Sequence, residues 1–107
     1  MRNKNIFWTP IGLKSLKEAK VFILEHWDHK VLEHFLDLID ERINQLALNS
    51  KLAPIIDSTE YRKLVIHKNI SIFYTVDSEI VKILLVWDNR QNPNVLKGKL
   101  INANKGV

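Results

Sequence analysis

No cysteine occurs among the 107 residues, so disulfides, thiolate catalysis and cysteine–zinc ribbons are excluded. No apolar run approaches the roughly 18 to 20 residues needed to span a bilayer. The opening MRNKNIFWTP holds no apolar stretch of signal-peptide length. Membrane association is therefore not expected, and a cytoplasmic location suits a cysteine-free chain. Internal repeats and low-complexity segments are missing too. What is present is ordinary for a globular protein, with 46% hydrophobic and 26% charged residues. The length suits one domain around a single core. That domain is expected over 1–107, with its core at about 5–93 and a tail at 94–107.

Charge is unevenly placed. Residues 1–59 hold eight Lys/Arg and eight Asp/Glu, whereas 60–107 hold eight Lys/Arg against four Asp/Glu, so the whole excess of +4 lies in the second half. A basic half attracts nucleic acid or an acidic protein. The same excess also serves plain solubility.

Asn5 to Thr9 reads as a short β-type run. Thr9-Pro10 then reads as a helix start, because threonine caps free N–H groups and proline is tolerated at the first helical position. Leu13, Leu16, Ala19, Ile23 and Trp27 recur at helical spacing. After a break at Asp28-His29-Lys30, a second stripe follows at Leu32, Phe35, Leu36, Ile39, Ile43 and Leu46. Glu33, Asp37, Asp40, Glu41 and Arg42 are expected on the outer face of that second helix. So short a connection predicts an antiparallel helical hairpin. Three strands follow, near Tyr61–His67, Ile70–Val76 and Ile80–Trp87, with turns at Lys68-Asn69 and Asp77-Ser78-Glu79. VKILLVW is apolar nearly throughout and predicts a central, buried strand that Pro93 stops. The last dozen residues read either as a frayed end or as a short helix. The order β-α-α-β-β-β predicts an α+β fold, with the helical hairpin packed on an antiparallel sheet.

That order, with FWTP opening the first helix, YRKLVI, IFYTVD and the terminal WDNRQNP, resembles the RelE/ParE superfamily of type II toxin–antitoxin toxins over roughly residues 5–93. The resemblance implies a growth-inhibiting toxin held inactive by a cognate antitoxin in a hetero-oligomer. RelE-like members cut messenger RNA on the ribosome, whereas ParE-like members act on DNA gyrase. Nuclease members carry an arginine early in strand three, where this chain has Ile70 and Ser71. They also carry histidine or tyrosine at the C-terminal edge, where this chain has Trp87, Asp88 and Arg90. The ParE-like branch is favoured on those departures.

Metal-free RNA cleavage needs a base, an acid and cations around the phosphate. If the chain is a nuclease, Arg62, His67 and Arg90 are the candidates, the two guanidinium groups binding phosphate. If it poisons a target by binding, the expected surface is Arg62, Tyr74, Asp88, Arg90 and Gln91. Each has a plainer reading. Arg62 suits an ion pair with Glu60 or Asp88, Asp88 suits a local turn that holds Arg90, Tyr74 suits packing with its hydroxyl on backbone, and His67 suits a solvated turn residue. His26 and His29 lie near Glu25, Asp28 and Glu33, yet no companion ligands converge and no metal is expected. Trp8, Trp27 and Trp87 are expected in the core. No cofactor is implied. Whether the chain is an enzyme stays open, as does a third class, a binding module without toxicity.

Overall fold

Thr9 starts the first helix as its chemistry implies. Its side chain accepts a hydrogen bond from Gly12 N–H at 2.9 Å, and Pro10 opens the helix where no N–H is needed. Around this point the computed structural model describes residues 3–56 and 59–105. Residues 57–58, which precede β2, and the chain ends 1–2 and 106–107 lie outside the described residues. The elements are β1 (Asn5–Trp8), α1 (Pro10–His26), α2 (His29–Leu48), β2 (Arg62–His67), β3 (Ile70–Val76), β4 (Ile80–Asp88) and α3 (Leu96–Lys105), with a 3-10 turn at Pro93–Val95.

The helical hairpin packs on one face of a four-stranded sheet ordered β1-β4-β3-β2. β2, β3 and β4 form the antiparallel meander read from the sequence. β1 departs from that reading, since it pairs with β4 in parallel, Asn5 opposite Ile80 through Trp8 opposite Ile83. Two tight turns reverse the chain twice, so β4 keeps β2's direction. The long helical connection after β1 returns the chain to the same end of the sheet, which makes β1 parallel to both.

β3 and β4 are the inner strands. A register shift between Phe73 and Tyr74 leaves Leu84 as an extra residue on β4. The shift breaks the alternation of faces. Val81, Ile83 and Val86 join the helix-side core with Phe35, Ile39 and Leu46. Leu85 and Trp87 join Phe73, Leu100 and Ala103 on the other face. β4 is apolar nearly throughout because both of its faces are covered. Each large apolar side chain buried here contributes roughly 1.5–3 kcal/mol.

The edge strand β2 is guarded. Lys63 N–H donates to Pro54 C=O, Arg42 Nη2 donates to Val65 C=O at 3.2 Å, and the pairing shifts between Val65 and His67. Arg42, expected on the outer face of α2, thus turns inward to cap a carbonyl.

Two more expectations change. Leu13 and Trp27, placed by periodicity on the buried stripe of α1, are 53% and 55% exposed. The stripe that packs is Leu16, Ala19 and Ile23, because α1 is turned about its axis by the docking of its first turn on β4. Pro93 does not stop a strand: β4 has ended at Asp88, and the proline opens the 3-10 turn. Of the two readings of the chain end, the helix is found. Leu100 and Ala103 of α3 are buried.

Candidate functional site

Beyond Trp8 the outer edge of β4 has no strand beside it, and α1 takes over. Ile83 C=O accepts from Thr9 N–H at 3.1 Å and from Thr9 Oγ1 at 2.9 Å. Ser15 Oγ accepts from Val86 N–H at 2.9 Å while donating to Gly12 C=O at 2.7 Å. These polar bonds pin the start of α1 on β4. Between α1, α2 and the end of the sheet lies an open groove of about 670 Å³. Phe22, Trp27, Val31, Phe35, Ile70 and Val86 give it apolar walls. Phe22, Trp27 and Val31 are 41%, 55% and 41% exposed. Large side chains left open together mark a surface meant to be covered.

At the tip of the hairpin His26 stacks on Phe22 with ring centroids 4.1 Å apart, its Nδ1 2.9 Å from Phe22 C=O. Asp28 caps α2 by accepting from Val31 N–H at 3.0 Å. Both residues are thereby occupied structurally. Among the described residues no group of three metal-ligating side chains forms.

WDNRQNP closes one end of the groove as a tight turn. Asp88 Oδ1 accepts from Arg90 N–H at 2.8 Å and from Arg90 Nε at 3.0 Å, and Asp88 Oδ2 accepts from Arg90 Nη2 at 2.7 Å. Gln91 N–H donates to Asp88 C=O, and Asn89 bonds both Asn69 C=O and Ser71 Oγ. The Arg90 side chain remains 58% exposed. Its hydrogen bonds, with a smaller charge effect, hold the Asp88 carboxyl below the ordinary carboxylate range, while partial burial acts in the opposite direction. A folded-state pKa below the unfolded one gives stabilisation that is full above the unfolded pKa and is lost as pH falls through the folded value. Replacing Arg90 with alanine should therefore move the Asp88 titration upward in carboxyl carbon NMR. An unmoved titration would show that another group holds it.

The five expected binding residues do not converge. Asp88, Arg90 and Gln91 sit together at the groove, where His67 also lies. Arg62 does not. It pairs with Tyr74 across β2 and β3, five residues from His67, roughly 16 Å along an extended strand. Arg62 Nη1 donates to Ala53 C=O at 2.7 Å, so neither Glu60 nor Asp88 is its partner. Tyr74 is fully buried, and its hydroxyl accepts from Ala53 N–H at 3.3 Å. Burial raises its pKa, with the Ala53 hydrogen bond and the Arg62 charge opposing. Arg62 and Tyr74 thus both hold the loop before β2, Tyr74 with no exposed surface and Arg62 partly buried. The nuclease set of Arg62, His67 and Arg90 is likewise split between two ends of the sheet.

Sequence reasoning missed Phe22, Trp27 and Val31 as groove residues, and Lys99 with them. Periodicity marks an apolar stripe but not whether a neighbour covers it. The one available signal was Trp27 itself, lying directly before the Asp28 cap, where a helix ends and its last side chains lose their neighbours.

The sequence profile of the family described as ParE toxin of type II toxin–antitoxin system, parDE, matches residues 6–93. No curated protein matches the chain. Among solved structures, a chromosomal ParDE toxin–antitoxin system from P. aeruginosa is similar with a TM-score of 0.68 at 14% identity, over 79% of this chain and 95% of that one. The YoeB dimer from Staphylococcus aureus gives 0.55 at 21% identity over 79% and 95%. The heterotetrameric YoeB–YefM complex from the same organism gives 0.54 at 22% over 78% and 94%. At these identities the likeness speaks for the shared α+β fold. No helix among the described residues is long and apolar enough to cross a membrane.

Proposed function

Since the chain belongs to the ParE toxin family of type II toxin–antitoxin systems, we propose that it acts in the cytoplasm by binding and poisoning a large target, DNA gyrase first among the candidates, until a cognate antitoxin fills the groove. The observation that carries this reading is the meeting of two features at one end of the molecule. One is the apolar groove with Phe22, Trp27 and Val31 open, the kind of surface that receives the apolar face of a partner helix. The other is the turn that projects Arg90 and Gln91 from the rigid end of β4, a place where contacts to a target gather. Binding without catalysis is supported by the distance of Arg62 from His67 and Arg90 and by the occupation of Arg62 on Ala53.

Induced expression without antitoxin should arrest growth and yield filamented cells with damaged DNA and intact messages. Codon-linked cuts in messenger RNA, read by toeprinting, would overturn this in favour of an endoribonuclease. Normal growth would leave a binding module without toxicity. Arg90→Ala should weaken target binding roughly 30-fold and restore growth on induction while antitoxin binding is largely kept. Full toxicity of that variant would remove the turn from the target surface.

A further inference from the structure

The family profile ends at residue 93, and α3 begins three residues later. α3 is firmly seated. Leu100 and Ala103 are buried against the sheet. Asn104 accepts from Lys82 Nζ at 2.8 Å and donates to Glu60 Oε1 at 2.9 Å. Thus held, the helix brings Lys99 to the groove, with Nζ 5.8 Å from the centroid of the Trp87 ring. Lys99 and Trp87 both line the groove. The ring face steadies the ammonium without neutralising it. Arg90, the neighbouring cation, is occupied by Asp88. Among the described residues no carboxylate meets Lys99. The groove therefore has apolar walls, Glu18 on its α1 side and Lys99 beside Trp87, the lysine delivered by a helix that lies outside the matched family domain.

We infer that α3 is a selectivity element, presenting Lys99 to a carboxylate on the protein segment that enters the groove. The occupant is the apolar face of a partner helix with an aspartate or glutamate in the turn that abuts Trp87. This role of α3 rests on the groove being a partner site and adds the chemistry of that partner. The indole face restrains the ammonium at the groove rim, and a partner helix covering that rim would exclude water from it, so a carboxylate placed there gains more than an ion pair in open solvent. A segment without the acid would leave Lys99 unpaired beside an apolar surface.

Two synthetic amphipathic helices test this. Both carry leucines at i, i+3, i+4, i+7 and i+11; one has glutamate in both terminal turns, the other glutamine. Each is titrated into the full chain and followed by tryptophan fluorescence. The wild type should prefer the glutamate peptide by roughly threefold to tenfold, and the preference should fade as salt is raised. Lys99→Gln should bind both peptides alike, and Lys99→Arg should keep the preference. Lys99 is exposed, so its substitution leaves the core intact. Equal binding of both peptides by the wild type, or a preference kept in Lys99→Gln, would overturn the inference and leave the groove reading standing. Failure of both peptides to bind would overturn the two together.

Discussion

Replacing Gly12 with alanine should lower the melting temperature by roughly 10 to 20 °C, for a loss of about 2–3 kcal/mol in a domain of this size. Gly12 lies in the first turn of α1, pressed against the central strand. A Cβ there would stand 2.5 Å from Ile83 C=O and 3.0 Å from Thr9 Oγ1. Neither neighbour gives way easily. Ile83 C=O is backbone of β4, and Thr9 Oγ1 is the helix cap, bonded to that same carbonyl. Relief requires α1 to retreat, which strains the Thr9 and Ser15 bonds to β4 together. The same exchange at Gly98 should have the opposite sign. Nothing lies within 4 Å of a Cβ built there, and an alanine in an exposed helix interior gains up to about 1 kcal/mol over glycine. Thermal melts of the two variants side by side check both statements. Equal shifts would mean that the contact of α1 with β4 is not what Gly12 serves.

Val31→Asp should leave the fold as stable as before and cost antitoxin binding about 3 kcal/mol, more than roughly 100-fold. Val31 is in the first turn of α2, and its N–H is bonded to the Asp28 cap. An acid at that position of a helix is favourable by roughly 0.3–1 kcal/mol. The side chain is 41% exposed and lines the groove, so no core is opened. A partner helix covering it would trap the carboxylate without a counter-charge. Calorimetric titration with the antitoxin and a melt of the free variant separate the two effects, and cells expressing both proteins should stay arrested. Tight antitoxin binding by this variant would move the partner site away from the groove.

Most of the fold was legible residue by residue. Thr9-Pro10 announced α1, the break at Asp28-His29-Lys30 separated the two helices, and the three strands of the meander were read with their turns. What failed to read were matters of neighbourhood. Trp27 carries the same periodic signal as Ile23 but sits past the last packed turn of α1. Arg62 and Arg90 look equivalent in sequence. One is spent on Ala53 C=O beneath a loop, and the other stands on an open turn with Asp88.

Local chemistry in the sequence determined which segments are helix and strand, where they are capped, and that residues 60–107 carry the excess charge, because those depend on neighbours within a few positions. The tertiary structure alone decided that β1 runs parallel to β4, that α1 and α2 part to leave a groove, and that Lys99 arrives at its rim. Those outcomes depend on pairings between residues some 70 positions apart, such as Ser15 with Val86, and no local pattern records which distant partner a side chain will meet.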